Sequence, residues 1–236
     1  MSKIVWDEDG KRSYETGTDR GVLYVQETDA TTHITTYGAG VGWDGLTGVS
    51  ENPTGATATA KYANNHVYGN LTSQEQFAFT ITAFTYPDEW EQCDGSASPT
   101  GAPGVYVTAQ RRKTFGMTYR TYIGNDTEGT DYGYTLHLVY GATASVSKRD
   151  NVSVNDTPDM LALSWDATTI AIPIEGFTQS AHIKIKSTEA TPEALAALET
   201  ILYGADAVTG TTPSEAVDPR LPLPAEVFTL MGATAG

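Results

Sequence analysis

Four histidines, one cysteine and 29 acidic residues bound the chemistry open to this chain of 236 residues. The histidines fall at positions 33, 66, 137 and 182, and no GxSxG or HExxH spacing accompanies them. Nucleophilic catalysis needs a nucleophile beside its base, and a metalloprotease helix needs its ligands at fixed spacing, so neither is written into the sequence. Asp126, Glu128 and Asp131 offer carboxylates for acid–base work of the glycosidase kind. They sit in GNDTEGTD, whose residue types are those of a polar turn, and their spacing departs from the EF-hand calcium loop. Asp88, Glu89, Glu91 and Asp94 follow Pro87 and precede Gly95, the pattern of a short helix over about 87–94 with its acids at the favourable end of the dipole. Gly40, Gly42 and Gly45 match GxGxxG, but no strand precedes and no helix follows, so they read as glycines bending a strand around Trp43. Cys93 is alone, which excludes an internal disulfide and a multi-cysteine zinc site. Read this way, the chain has no catalytic constellation, no cofactor and no metal.

The elements around these residues are strands. In the stretch 111–144, Met117, Tyr119, Thr121 and Ile123 alternate with Thr118, Arg120 and Tyr122; Tyr134, Leu136, Leu138 and Tyr140 then alternate with Thr135, His137 and Val139. That period of two predicts a long hairpin of half-buried strands, which needs further sheet to pack on because two strands alone bury too little. Phe77, Phe79, Ile81 and Ala83 predict a core strand, and Leu161, Leu163 and Trp165 continue the sheet. Ile183 and Ile185 face inward, opposite His182, Lys184 and Lys186 on a small solvated basic face. TPEALAALETIL predicts one substantial helix, about 191–203, with Thr191 as its cap, Pro192 at its first position, Gly204 after its end and a stripe of Leu195, Leu198 and Leu202. The fold class is therefore mainly β: an antiparallel β-sandwich or barrel-like domain with one packed α-helix and a second short one. A single domain over 1–236 is expected, with a flexible N-terminal region of about 1–36, in which Glu27 to Thr36 reads as a surface loop, and an extended C-terminal arm of about 205–236.

Two stretches lack a core of their own. Asn52 to Asn70 alternates short Ala/Thr runs without an apolar face, so it is either mobile or ordered against another chain, with Tyr62, His66 and Tyr68 as interface candidates. In the C-terminal arm, prolines at 219, 222 and 224 bar a helix, leaving Leu221, Leu223, Val227 and Phe228 in need of a neighbouring subunit's surface. The formal net charge of −15 and the pI near 4.5 argue against gripping nucleic acid by its phosphates. The charged N-terminus MSKIVWDEDGKR lacks the apolar centre of a secretory signal, and no run is apolar and long enough to span a bilayer, so a cytosolic history is expected.

The segments GVGWDGLTGVSENPTGA, FTYPDEWEQCDG, RKTFGMTYRTYIGNDTEGTDYGYTLHLVYGATAS, VNDTPDMLALSWDATTIAIPI and LPLPAEVFTL resemble the major tail protein, or tail tube protein, of bacteriophages with long non-contractile tails, from about Trp6 to about Met231. The resemblance implies hexameric rings whose inner strands join into one continuous β-barrel, stacked into a tube through which double-stranded DNA passes to the host without specific binding. It further implies a tape measure protein and tail terminator and tip proteins as partners, and a place in the virion tail after assembly in the bacterial host cytoplasm. On that reading Asp126, Glu128 and Asp131 are lumen candidates, since carboxylates repel phosphates within a Debye length of roughly 8 Å. The alternative is a carbohydrate-binding β-sandwich, for which 13 Tyr and 4 Trp supply stacking surfaces.

Overall fold

The structure is a computed structural model and describes residues 3–32, 35–154, 156, 159–207 and 215–232. In chain order the strands are β1 (Ser13–Thr28), β2 (Thr35–Tyr37), β3 (Val41–Gly42), β4 (Leu46–Glu51), β5 (Ala58–Ala63), β6 (His66–Thr72) and β7 (Ala78–Ala83). A 3₁₀ turn, Asp88–Trp90, leads into α1 (Glu91–Asp94), followed by β8 (Phe115–Asn125), β9 (Gly129–Ala144), β10 (Leu163–Thr169) and β11 (His182–Lys186). Two helices close the chain, α2 (Pro192–Tyr203) and α3 (Pro224–Leu230). Nine strands form one antiparallel sheet in the order β2-β1-β8-β9-β10-β7-β4, with β11 also on β9 and β3 also on β1; β5 and β6 form a separate ribbon. The class is mainly β, as the alternating patterns predict, and the sheet does not close into a barrel.

What rolls this sheet is a bulge in β9. Phe115 pairs with Ala142 and Met117 with Val139, so β9 carries one extra residue around Tyr140 and Gly141. Gly141 has φ +61, and a Cβ there would meet the Ile170 carbonyl oxygen at 2.7 Å, so only glycine fits the bend. Up to Val139 the outer edge of β9 pairs with β11; from Ala142 it pairs with β10. The second half of the sheet is thereby carried over the first, and a core forms between them. Phe115, Met117, Tyr119 and Val139 meet Phe79, Ile81, Leu163 and Trp165 there, and Trp43, Trp90 and Trp165 pack at 4.7–5.9 Å between ring centres. A second core lies on the other face of β1, β8 and β9, where Tyr24, Leu136, Leu138 and Tyr140 meet Leu195, Leu198 and Leu202 of α2 and Val227 of α3.

With cover on both faces, the central hairpin departs from the half-buried pattern read from its sequence. Thr118, Arg120, Thr135 and His137 are buried along with the apolar residues. Arg120 is accommodated by a fork onto Asp19, with Nε donating to Oδ1 at 3.0 Å and Nη2 to Oδ2 at 2.7 Å; the Tyr122 hydroxyl also donates to Asp19. Its guanidinium lies 4.5 Å from the centre of the Tyr134 ring.

Three other expectations are corrected. The N-terminal region is not flexible over residues 13–28, because 13–25 pair along β8, 26–28 pair with β2, and Leu23 and Tyr24 are fully buried. Glu27 to Thr36 is a hairpin rather than a loop: Thr28 pairs with Thr35, and the Asp29 carboxylate turns the chain by accepting the N–H groups of Thr31 and Thr32. His33 lies outside the described residues. The C-terminal arm is not extended throughout, since Pro224 starts α3 at a position where an N–H would have no intrahelical partner, so the donor that proline lacks is not missed and its ring presets the helical φ. Asn52 to Asn70 includes most of a two-stranded ribbon with Asn64 and Asn65 at its turn, both with positive φ.

Candidate functional site

Four strands deliver the polar side chains that meet at the margin of the first core. In β9, His137 stands between Tyr119 of β8 and Lys184 of β11, each directly opposite it in register. His182 heads β11, and Glu51 ends β4 on the opposing layer. His137 Nδ1 lies 3.2 Å from Glu51 Oε1 and 3.1 Å from His182 Nε2, while His137 Nε2 lies 3.0 Å from Thr121 Oγ1. The Tyr119 hydroxyl donates to Glu51 Oε1 at 3.1 Å and Lys184 Nζ to Oε2 at 2.9 Å. The rings are held by stacking: Tyr119 on His137 at 4.4 Å, His137 on His182 at 5.3 Å, and His182 on Phe77 at 4.2 Å.

Burial sets the charge of the cluster. Desolvation pushes His137 down to about 4 and His182 down to about 3, against the opposing pull of the Glu51 carboxylate. Burial pushes Glu51 up, but the Lys184 hydrogen bond and the surrounding cationic groups outweigh it and hold the carboxyl below its ordinary range. At neutral pH the site therefore holds two neutral imidazoles and one carboxylate. A groove of about 720 Å³, lined by Gln74, Gln76, Phe77, Thr169, Gln179 and His182, opens beside it.

None of the residues offered from the sequence as site or interface candidates belongs to this cluster, and His137, His182 and Lys184 are named there without being linked to one another or to Glu51. Asp126 closes the β8–β9 tip onto the N-terminal segment, accepting the Gly10 N–H at 3.0 Å with Arg12 at 3.7 Å, and that backbone hydrogen bond holds its carboxyl below the ordinary range. Glu128 and Asp131 are exposed at the same tip. Leu221 and Val227 are buried in the chain's own second core, which corrects their assignment to a subunit contact; the leucine packs over Gly116. Leu223 is 41% exposed on an apolar groove of about 520 Å³ shared with Tyr37 and Ile172, and Phe228 rests against Phe177 at 5.7 Å. The basic face expected at β11 is only partly solvated, because His182 turns in toward Phe77 while Lys184 and Lys186 stay exposed. Nothing local in the sequence links Glu51 with the two histidines, which are 45 residues apart; the β9–β11 register brings the histidines together, and β4 on the opposing layer delivers Glu51.

The β5–β6 ribbon presents a different surface. Tyr62, Val67, Tyr68 and Leu71 are 50–79% exposed, and His66 is exposed beside the turn with its Nδ1 3.1 Å from the Asn64 carbonyl oxygen. In the main sheet β4 and β11 each have one edge without a paired strand among the described residues. No helix among the described residues is long and apolar enough to cross a membrane.

No protein-family model and no curated protein matches the chain. Among solved structures, it is similar to a chain in a cryo-EM structure of the anti-feeding prophage baseplate, sixfold symmetrised. The two are 8% identical with a TM-score of 0.34, over 80% of this chain and 99% of the other.

Proposed function

We propose that this chain is a non-catalytic structural subunit of a bacteriophage virion, polymerising as hexameric rings stacked into the tail tube through which double-stranded DNA reaches the host. The observation that carries the proposal is the β5–β6 ribbon, whose exposed Tyr62, Val67, Tyr68 and Leu71 have no cover among the described residues. Isolated two-stranded ribbons are marginal in water, and an exposed apolar ribbon gains stability from a second copy. The free edges of β4 and β11 favour the same outcome, since an unpaired edge is a template for a further strand and ring closure removes the hazard. The resemblance of the segments quoted above to tail tube proteins of long non-contractile tails is what suggests the identity of the assembly, its tape measure, terminator and tip partners, and its formation in the host cytoplasm before it becomes part of the tail. The excess of acid suits a duct that lets phosphates pass without holding them.

Negative-stain microscopy and sedimentation of the purified chain test this directly. Rings or tubes with a sixfold end view are expected, together with no measurable duplex-DNA binding at physiological salt. A chain that stays monomeric at high concentration and binds glycan arrays would overturn the proposal in favour of a carbohydrate-binding sandwich.

A further inference from the structure

The geometry points to a binding site for a divalent transition-metal ion of the zinc class at Glu51 Oε1, His137 Nδ1 and His182 Nε2. These three ligand atoms lie within 4.8 Å of one another, two of the separations being 3.1 and 3.2 Å. Ligands at 2.0–2.2 Å in a tetrahedral shell stand about 3.3 Å apart, so two of the separations already suit an ion and the third, between Glu51 and His182, lies within 4.8 Å and closes by side-chain rotation on binding. Nitrogen and carboxylate oxygen are donors that zinc, cobalt and nickel prefer, whereas calcium and magnesium take all-oxygen shells.

Proton counting favours an ion over a purely internal network. His137 bridges its neighbours only with a proton on Nδ1, and that single N–H faces both Glu51 Oε1 and His182 Nε2. Glu51 Oε1 already receives the Tyr119 hydroxyl, and the contact between His137 Nδ1 and His182 Nε2 holds one proton, whichever ring supplies it. A divalent ion satisfies all three lone pairs together. The His137 proton then moves to Nε2, where Thr121 Oγ1 waits at 3.0 Å to accept it, the outer partner that fixes a ligating imidazole. Both rings are oriented by stacking, on Tyr119 and on Phe77, and His182 lines the groove that gives an ion access. The three residues leave one tetrahedral position to water.

The test uses the full chain, stripped with chelator and titrated with Zn²⁺ and Co²⁺. The expected result is one ion per chain by calorimetry, with the visible spectrum of four-coordinate Co²⁺ and no response to Mg²⁺ or Ca²⁺. His182→Gln should weaken binding about a hundredfold, and Thr121→Val, which removes only the outer partner, about tenfold. X-ray absorption of the Zn²⁺-loaded wild-type chain should count two imidazoles, which holds even if a variant fails to fold. Absence of the Co²⁺ spectrum, a shell without two imidazoles, or binding unchanged in His182→Gln would each overturn the assignment. These readouts hold whether or not the chain forms tubes.

Discussion

Tyr119 and His137 stand directly opposite each other across β8 and β9, their rings stacked 4.4 Å apart and within 8° of parallel. The phenol helps wall the imidazole off from water, and that desolvation keeps it neutral against the pull of the Glu51 carboxylate, where an exposed imidazole would begin to charge.

That neutrality makes stability depend on pH. In the unfolded chain both histidines take protons below about 6.5, whereas in the fold His137 resists until about 4 and His182 until about 3. Stability is therefore full above about pH 6.5 and falls as pH drops through the window down to 3–4, by up to about 1.4 kcal/mol per pH unit for each histidine. Urea midpoints at pH 7 and pH 5 should show the loss, and the double variant His137→Gln, His182→Gln should flatten it. Asp19, whose burial is outweighed by hydrogen bonds from Arg120 and Tyr122, starts to cost stability only below its ordinary range near 3.8, so it does not blur the upper window.

Arg120 should be more costly to lose than its neighbours on β8. Replacing it by Leu leaves Asp19 charged under α2 without its forked partner and Tyr134 without its cation, and a loss of about 2–4 kcal/mol is expected. The figure sits below that of a fully buried pair because the Asp19 side chain is 30% exposed. Chemical denaturation of Arg120→Leu and Asp19→Asn, singly and together, measures it; strict additivity would mean the two act independently.

Truncation after Val217 should destroy the fold rather than trim an arm. Leu221 and Val227 belong to the second core, the Tyr140 hydroxyl donates to the Pro222 carbonyl oxygen at 3.0 Å, and the Gly40 N–H to that of Pro219 at 2.8 Å. Leu221→Ala alone should cost about 2–5 kcal/mol in thermal unfolding. A truncated chain that melts like the whole one would show that α2 covers this face unaided.

Tyr62 and Tyr68 separate assembly from folding. Because both rings already face solvent, changing both to Ser should leave the unfolding free energy within about 0.5 kcal/mol. If the ribbon seats on a second copy, the same variant raises the concentration needed for rings or tubes by at least tenfold, measured by light scattering.

Elements with a strong local period were legible in the sequence. Phe79, Ile81 and Ala83 alternate cleanly, and α2 starts after Thr191 as its cap pattern predicts, although the threonine side chain makes no capping hydrogen bond. The β5–β6 ribbon was not legible in the sequence, where Asn52 to Asn70 has no apolar face, although Asn64 and Asn65 are residues that tolerate the positive φ of its turn. What stayed hidden was set by partners distant along the chain. Burial of both faces of β8 depends on a bulge at Gly141, and the meeting of Glu51 with two histidines depends on the registers of β4, β9 and β11. Prolines 222 and 224 misled because a proline opening a helix and a proline breaking one are the same residue in different company.

The pairing of β1 with β8 also has a consequence for how the chain is made. Asp19 and Arg120 are 101 residues apart, so at 5–20 residues per second β1 emerges from the ribosome about 5–20 s before its partner exists. During that interval Gly21-Val22-Leu23-Tyr24-Val25, almost all of it destined for burial, has only the short β3 to pair with, beside β2 on the residues that follow, and its edge toward β8 stays open. Translation speed and chaperone supply, rather than the stability of the finished fold, then set the yield of competent subunits.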